Sequence, residues 1–563
     1  MARGVLLGLL QPPPQVCFAK RWLPWGWRMF SVDGQSVNSR TIQRSLALAQ
    51  PGTPGASFLS LNGGLQQTPL LGGRNGSVDE MTFGGYAGRI LANGSFISQI
   101  SQAAPVSEWH RVAADVQRDG SLTVVVLGAS PTAGAGAEKS GKHSPTLSWA
   151  RRLHDGLSAT MAGMFGVPVR TSVFFKGAVG ADWYSWCTSR MVAPSTHIVL
   201  LEVASAMGSN PNASFEQYSK LLTSARKAAP RALNIIVEWP PWHRGRDAGH
   251  SGASQSAASL SAEVLWGGAA ADLVTGSYGK HGFYADKVHP NLAGHQLLGA
   301  AALVLLTTRL ERAWESGSLA RARMSLPSTI DVQSSADEVC IASADSLPVE
   351  LPIQRAWELH DAGKSKGTKK LGMLSTQVNQ SLVLRVPELA GTASCAGRIV
   401  GLGYLASTAP EQGWFNVDCD GCGCAAVAGR YTSPTPRSFP DVNTRLATGT
   451  FGALNVSITD ILAFTLMQMR GTPCRIILTH QAGPTSLRSD RTLSAEVETV
   501  SRVRIDSLFV KHPAALELAV ERSERWRPHF GLFTDCCVQA SRKPASASAR
   551  DQCKRYLLAR HVV

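Results

Sequence analysis

The 563-residue chain is poor in charge, with Asp, Glu, Lys and Arg together at 17%, below the roughly 25% of an average soluble protein. Long apolar runs are absent as well. The longest, near Leu297–Leu306, stops short of the ~18 residues a membrane-spanning helix needs, so no membrane span is expected. Sustained heptads and a Gly-X-Y period are missing, which excludes a coiled coil and a collagen. No internal repeat is evident. Neither zinc-finger spacing nor an RNP-like aromatic and basic strand occurs, so no nucleic-acid partner is expected. Cysteine is scarce until late in the chain: only Cys17 and Cys187 precede Cys340, and nine of the 11 run from Cys340 to Cys553.

Apolar residues reach 44%, enough to bury a core, and the length suggests two or three folded units plus unstructured segments. The net charge of +15 is spread out, densest at Lys364–Lys370, Arg522–Arg527 and Arg542–Arg560, and reads as a solvated basic surface. Cys419, Cys422 and Cys424 form the run Cys-Asp-Gly-Cys-Gly-Cys. With Cys395 and Cys474 they suit disulfides of an oxidising compartment, a zinc site or free thiols. Sequons at Asn75, Asn93, Asn212, Asn379 and Asn455 lean toward the first, and hence toward a secreted glycoprotein. Residues 1–32 carry Arg3, Lys20, Arg21 and Arg28 and no acid. That fits a poor secretory signal, an organelle transit peptide or a misplaced start. The expected location is therefore the secretory pathway or the cell exterior, with organelle import as the alternative.

Residues 1–120 read as a low-complexity leader, mostly disordered, rich in Gly, Ser, Gln and Asn. Regular patterning begins at Ser121. Leu122–Leu127 is a continuous β-rich run, as in a buried parallel strand. Ser148–Phe165 has helical spacing, Val167–Phe175 and His197–Val203 read as strands, and Ser214–Ala229 as a helix ending before Pro230. Leu233–Glu238 is a fourth strand and Asn291–Trp314 a long helix. Strands alternating with helices over 121–320 predict an α/β domain whose site lies at the carboxyl ends of parallel strands. After a linker at 321–345, residues 346–510 change to short β-rich runs: Ser381–Val386, Arg398–Leu405, Ala453–Ile458, Ile461–Met467, Arg475–Thr479 and Val500–Val510. These predict a cysteine-rich, mainly-β sandwich or jelly roll. Residues 511–563 read as a basic tail, with a short helix at Ala514–Trp526.

Chemistry concentrates in two segments. Gly128-Ala129-Ser130-Pro131-Thr132-Ala133-Gly134-Ala135-Gly136 follows the first strand. A serine on a strand-to-helix turn is exposed at the sheet edge, and a helix start beside it would offer N–H groups to an oxyanion. The turn lacks a P-loop lysine and a dinucleotide fingerprint. Asp286-Lys287-Val288-His289-Pro290-Asn291 precedes the last helix. A histidine there can lie over the serine while the aspartate three residues upstream holds its tautomer. A capped turn without chemistry is the alternative.

Together these segments resemble the SGNH (GDSL-type) hydrolases. The serine block is similar to Gly128-Ala129-Ser130, the second-block glycine to Gly180 in Lys176-Gly177-Ala178-Val179-Gly180, and the Asp-x-x-His-Pro block to Asp286, His289 and Pro290. The resemblance covers residues 121–316. It implies a three-layer α/β/α, flavodoxin-like domain and ester hydrolysis without metal or organic cofactor. Ser130 would be nucleophile, His289 base and Asp286 its orienting acid, with the Ser130 and Gly180 amides as oxyanion donors. The third block departs: where the family carries an oxyanion Asn and then an Asp, this chain has Ala206 and Met207. Asn210 is the candidate replacement and Ser205 a second. A slow esterase acting on short acyl or O-acetyl esters, including those of glycans, and an inactive glycan-binding relative both fit. Algal and plant-like members with a cysteine-containing β-domain resemble the segments Trp357–Val386, Gly403–Leu405 and Cys419–Cys424.

Bland readings attach to other residues. Glu202 lies in an apolar strand and must be paired or protonated. Trp239-Pro240-Pro241-Trp242-His243 ends the fourth strand, where it could stack on sugar or simply pack. His243, His250 and His281 read as histidines of a Gly/Ser-rich loop insertion. Cys187 reads as a buried apolar cysteine.

Overall fold

The computed structural model describes residues 30–31, 83–92, 96–138, 143–204, 211–239, 246–275, 280–316, 338–350, 357–361, 371–387, 397–407, 412–426, 442–443, 457–468, 473–481 and 502–511. The first unit is built on five parallel strands: β1 (Leu122–Gly128), β2 (Val169–Phe175), β3 (Ile198–Glu202), β4 (Leu233–Glu238) and β5 (Glu263–Trp266). They lie in the order β2-β1-β3-β4-β5, the flavodoxin-like order of doubly wound sheets. Two-residue strands, Phe30–Ser31 and Ser101–Gln102, cap the two edges antiparallel.

Both faces of the sheet are covered, which is why the strands read as unbroken apolar runs. The period of two divides each strand between the faces. Val124 and Val126 enter one core with Ile198, Leu200, Leu233 and Ile235. Val125 and Leu127 enter the other with Val199, Leu201 and Ile236. The first face carries α1 (Phe83–Ala92), α2 (Val106–Asp119), α3 (Trp149–Phe165) and, later in the chain, α8 (Leu292–Glu315). The second carries α4 (Ala181–Met191), α5 (Pro211–Ala228) and α6 (Arg246–Ser259). A further helix, α7 (Gly267–Thr275), follows β5. The expected three-layer α/β/α domain is present.

Its limits need correction. The leader was expected to reach residue 120, but α1 and α2 belong to the domain. Tyr86, Ile90, Trp109, Val112, Ala113 and Val116 are buried in its core, and removing them would expose that face of the sheet. The segment that reads as a loop insertion between β4 and α8 instead holds α6, β5 and α7. β5 adds a fifth parallel strand that its short length and Gly-rich flanks conceal.

The second unit is an antiparallel sandwich, as its texture predicts. Its strands are β6 (Glu338–Ile341), β7 (Trp357–Asp361), β8 (Leu371–Ser375), β9 (Ser381–Arg385), β10 (Gly397–Ser407), β11 (Trp414–Asp420), β12 (Cys422–Ala426), β13 (Ser457–Gln468), β14 (Arg475–Gln481) and β15 (Val503–Lys511). One sheet runs β12-β13-β10-β15-β8-β7, with β6 also paired to β15. The other runs β9-β14-β11 and ends on Val442–Asn443. Leu382, Leu384, Val400, Leu402, Phe415, Val417, Phe464 and Leu478 fill the space between. The sandwich begins at β6, inside the segment expected to be linker. The end of the run expected at Ala453–Ile458 and the whole of Ile461–Met467 lie in one long strand, β13, while 453–456 lie outside the described residues. The expected helix at Ala514–Trp526 lies outside the described residues.

Cys422 is disulfide-bonded to Cys474, and Cys419 is also disulfide-bonded. Cys187 is buried, as expected, but it does more than pack: it is bonded to Cys340, across 153 residues of sequence, tying α4 to β6. Among the described residues, no helix is long and apolar enough to cross a membrane.

Candidate active site

The sheet's order reverses between β1 and β3, and the crevice beyond their carboxyl ends is where such folds bind ligands. Ser130 follows β1 at that point. Its turn is held from both sides. The Ala129 N–H donates to the Glu202 carbonyl at the end of β3 (2.8 Å), and the Lys176 N–H donates to the Gly128 carbonyl (3.1 Å). Gly128 is required here, because a Cβ would lie 1.9 Å from Thr132 Oγ1. The expected helix start beside Ser130 is absent. The chain instead makes hydrogen-bonded turns, with Ala133 N–H donating to the Ala129 carbonyl and Ala135 N–H to the Ser130 carbonyl. The next helix, α3, begins only after its cap Ser148.

The histidine arrives from the other end of the domain. Asn291 caps α8, accepting from the Gly294 N–H at 2.9 Å and donating to the Gly282 carbonyl at 2.7 Å. The Ala285 N–H donates to the His289 carbonyl and closes the loop. Gly136 of the serine segment lies against this loop with φ +86°, where a Cβ would be 2.4 Å from the Pro290 carbonyl oxygen and 3.1 Å from His289 Cβ. The left-handed conformation and the lack of space both require glycine.

These elements bring the predicted residues together. Ser130 Oγ lies 2.9 Å from His289 Nε2, and His289 Nδ1 lies 2.7 Å from Asp286 Oδ2. Asp286 Oδ1 accepts the backbone N–H groups of Val288 and His289, each at 2.7 Å. Partial burial pushes the Asp286 carboxyl up, but the His289 ring and the two N–H groups outweigh it and hold it at about 2. An ionised Asp286 makes Nδ1 the donor, which leaves Nε2 free to accept the Ser130 hydroxyl proton.

Behind the serine lies a buried chain that the sequence shows only in part. Glu202 is fully buried, and its Oε2 accepts the Thr132 hydroxyl at 2.9 Å and the Thr132 N–H at 3.2 Å. The Trp149 indole N–H donates to the same hydroxyl (3.2 Å). Burial pushes the Glu202 carboxyl up to about 8 against those hydrogen bonds, so it is protonated at neutral pH. Its expected choice between pairing and protonation resolves as both. His295, also fully buried, is drawn down by burial to about 4. Its Nε2 donates to the Ala135 carbonyl (3.0 Å) and its Nδ1 accepts the Trp149 N–H (3.3 Å). It pins the serine segment to α8. Its spacing from Asn291, one helical turn, was the available signal for a buried residue on the domain side of the helix.

Gly180 is the N-cap residue just before α4, with no side-chain cap, on the carboxyl side of β2. Asn210, Ser205, Ala206 and Met207 lie outside the described residues, as does Pro240–His243. Trp239 is fully buried and packs against Tyr284, with ring centroids 5.1 Å apart, so its role is packing rather than sugar stacking.

No protein-family model matches the sequence, and no curated protein does. Solved structures do. The chain is similar to a two-domain esterase active on acetylated mannans, at 13% identity and TM-score 0.43, over 72% of this chain and 95% of that one. It is similar to a carbohydrate acetylesterase family member from Sinorhizobium meliloti, at 15% identity and TM-score 0.26, over 34% of this chain and 99% of that one. A GDSL-like lipase from Parabacteroides merdae matches at 11% identity and TM-score 0.27, over 34% and 95%. Likenesses this remote carry no weight of their own. The fold reading rests on strand order, and the chemistry on the Ser130–His289–Asp286 geometry.

Proposed function

We propose that the chain is a serine esterase of SGNH type that hydrolyses short acyl or acetyl esters, glycan O-acetyl groups among them. The observation that carries this is the unbroken hydrogen-bond line Ser130 Oγ, His289 Nε2, His289 Nδ1, Asp286 Oδ2, at 2.9 and 2.7 Å, at the switch point of the sheet. Ser130 Oγ attacks the ester carbonyl as His289 Nε2 takes its proton. The oxyanion donors assigned in this reading are the amides of Ser130 and Gly180, with Asn210 as the candidate third. His289 returns the proton to the leaving alcohol. A water then attacks the acyl-enzyme carbonyl as His289 Nε2 takes its proton, the acyl–Ser130 bond breaks, and His289 returns that proton to Ser130 Oγ as the acid leaves. Asp286 holds the tautomer and stabilises the imidazolium throughout. No step calls on a cofactor.

Hydrolysis of p-nitrophenyl acetate by wild type and Ser130→Ala tests this; equal rates overturn it. Acetylated mannan, the substrate of the two-domain esterase noted above, is the first polymer to try. A second reading, an inactive glycan-binding protein that keeps the fold, is favoured by Ala206 standing where the resembled family has its oxyanion Asn. It predicts carbohydrate binding without acetate release. The disulfides and sequons support a location in the secretory pathway or outside the cell.

A further inference from the structure

The loop 176–180 leads from β2 to Gly180. Its start is fixed within the hydrolase unit: the Lys176 N–H donates to the Gly128 carbonyl at 3.1 Å and lies 3.1 Å from the Tyr184 hydroxyl, which itself donates to Gly128. From there its bonds lead to the sandwich. Lys176 Nζ donates to the Ala342 carbonyl at 2.8 Å, lies 3.5 Å from Asp506 Oδ1 and sits over the Trp183 ring at 4.7 Å. The Ala178 carbonyl accepts the Thr459 N–H at 2.6 Å, and Val179, fully buried, forms a β-bridge with Thr459.

One carboxylate joins these holds. Asp506, 2% exposed, meets Lys176 through Oδ1 and accepts the Thr459 hydroxyl through Oδ2 at 2.8 Å. Ser507 donates to Oδ1 at 2.8 Å and receives the Trp183 indole N–H at 3.2 Å. Gly403 leaves the space, since a Cβ there would lie 1.9 Å from Ser507 Oγ. Ala178 has φ +64°. A non-glycine residue stays in that left-handed region only where its surroundings over-determine it, and the surroundings here are Thr459 and Val179.

We propose that the β-sandwich positions the Gly180 amide, with Asp506, Lys176 and Thr459 as positioning residues for ester hydrolysis, so that the second unit completes the active site. This rests on the esterase reading. Oxyanion donors act within a few tenths of an ångström of the oxygen they stabilise. An N–H on a loop whose middle is held by another unit takes its position from that unit.

The experiment uses the full chain and compares wild type with Thr459→Val, Asp506→Asn, the double variant Lys176→Met/Asp506→Leu, and Lys511→Met as control. Lys511 makes a comparable contact beyond the loop: its Nζ donates to the Ser185 carbonyl at 3.0 Å and lies 3.5 Å from Glu338. The double variant removes both charges together, because a single uncompensated buried charge endangers folding; Thr459→Val is the mildest change. The loop variants should lower kcat for p-nitrophenyl acetate by about 10- to 100-fold, with KM within about twofold and the pH midpoint unmoved. Hydrogen exchange of the 177–180 amides should quicken in parallel. Lys511→Met should lower thermal stability and leave kcat and that exchange unchanged. Folded loop variants with wild-type kcat and exchange overturn the proposal, as does an equal fall in kcat in Lys511→Met. An inactive wild type overturns the esterase reading instead, and slow 177–180 exchange in the folded loop variants would then overturn the clamp separately.

Discussion

Glu202→Gln should make the protein progressively more stable than wild type as pH rises from 5 to 8. Glu202 is fully buried, and its carboxyl is raised from 4.5 to about 8, which corresponds to on the order of 5 kcal/mol against its ionised form. The sign follows from proton counting. Between those values the folded state holds a proton that the unfolded state has lost, so wild-type stability falls with pH at about 1.4 kcal/mol per tenfold change. Glutamine keeps an oxygen for the Thr132 hydroxyl and N–H and has no proton to lose. The stability of Glu202→Gln minus that of wild type should therefore grow by roughly 4 kcal/mol from pH 5 to 8. Other titrating groups cancel in the difference. Urea unfolding followed by tryptophan fluorescence at several pH values measures it. A difference that stays flat across this window would show that Glu202 ionises normally, and would refute the buried protonated acid beneath the serine turn.

Asp286→Asn should reduce kcat about 10³-fold, somewhat less than the ~10⁴ of a buried triad, because the Asp286 side chain is 56% exposed and water replaces part of its role; steady-state hydrolysis of p-nitrophenyl acetate reads this. Because Asp286 is held at about 2, the pH–rate profile should show no loss from its protonation above about pH 3. Gly136→Ala should leave the protein folded but cut activity by at least about 10²-fold, since its Cβ meets Pro290 and His289; circular dichroism and kinetics together separate the two effects. His295, lowered from 6.5 to about 4, contributes stability present above 6.5 and lost as pH falls through 4. The advantage of wild type over His295→Gln should thus shrink by about 3 kcal/mol over that window. The double variant Cys187→Ser/Cys340→Ser should lose about 3–5 kcal/mol, given the 153-residue closure, measured by urea unfolding under oxidising conditions.

Four of the five parallel strands were legible because burial on both faces leaves continuous runs such as Leu122–Leu127, and turns bound them. Asp286, His289 and Asn291 were legible because a three-residue loop and a helix cap are local features. What the sequence concealed is long-range. Trp109, Val112, Ala113 and Val116 carry helical spacing, but it stands behind a Gly- and Ser-rich stretch that resembles disorder. Cys187 finds its partner 153 residues away, and no spacing reports that. The hold of Asp506 on Lys176 joins residues from the two units. Glu202 was visible as an acid in an apolar strand, but its proton follows from complete burial, which overrides the Thr132 hydrogen bonds and which the sequence does not report.

Reaction with a fluorophosphonate probe, mapped by mass spectrometry in wild type, Ser130→Ala and His289→Ala, tests the account at its centre. It predicts a single labelled residue, Ser130, with labelling absent in Ser130→Ala and slowed at least about 100-fold in His289→Ala. No labelling of a folded wild type, or label on another residue, would contradict it.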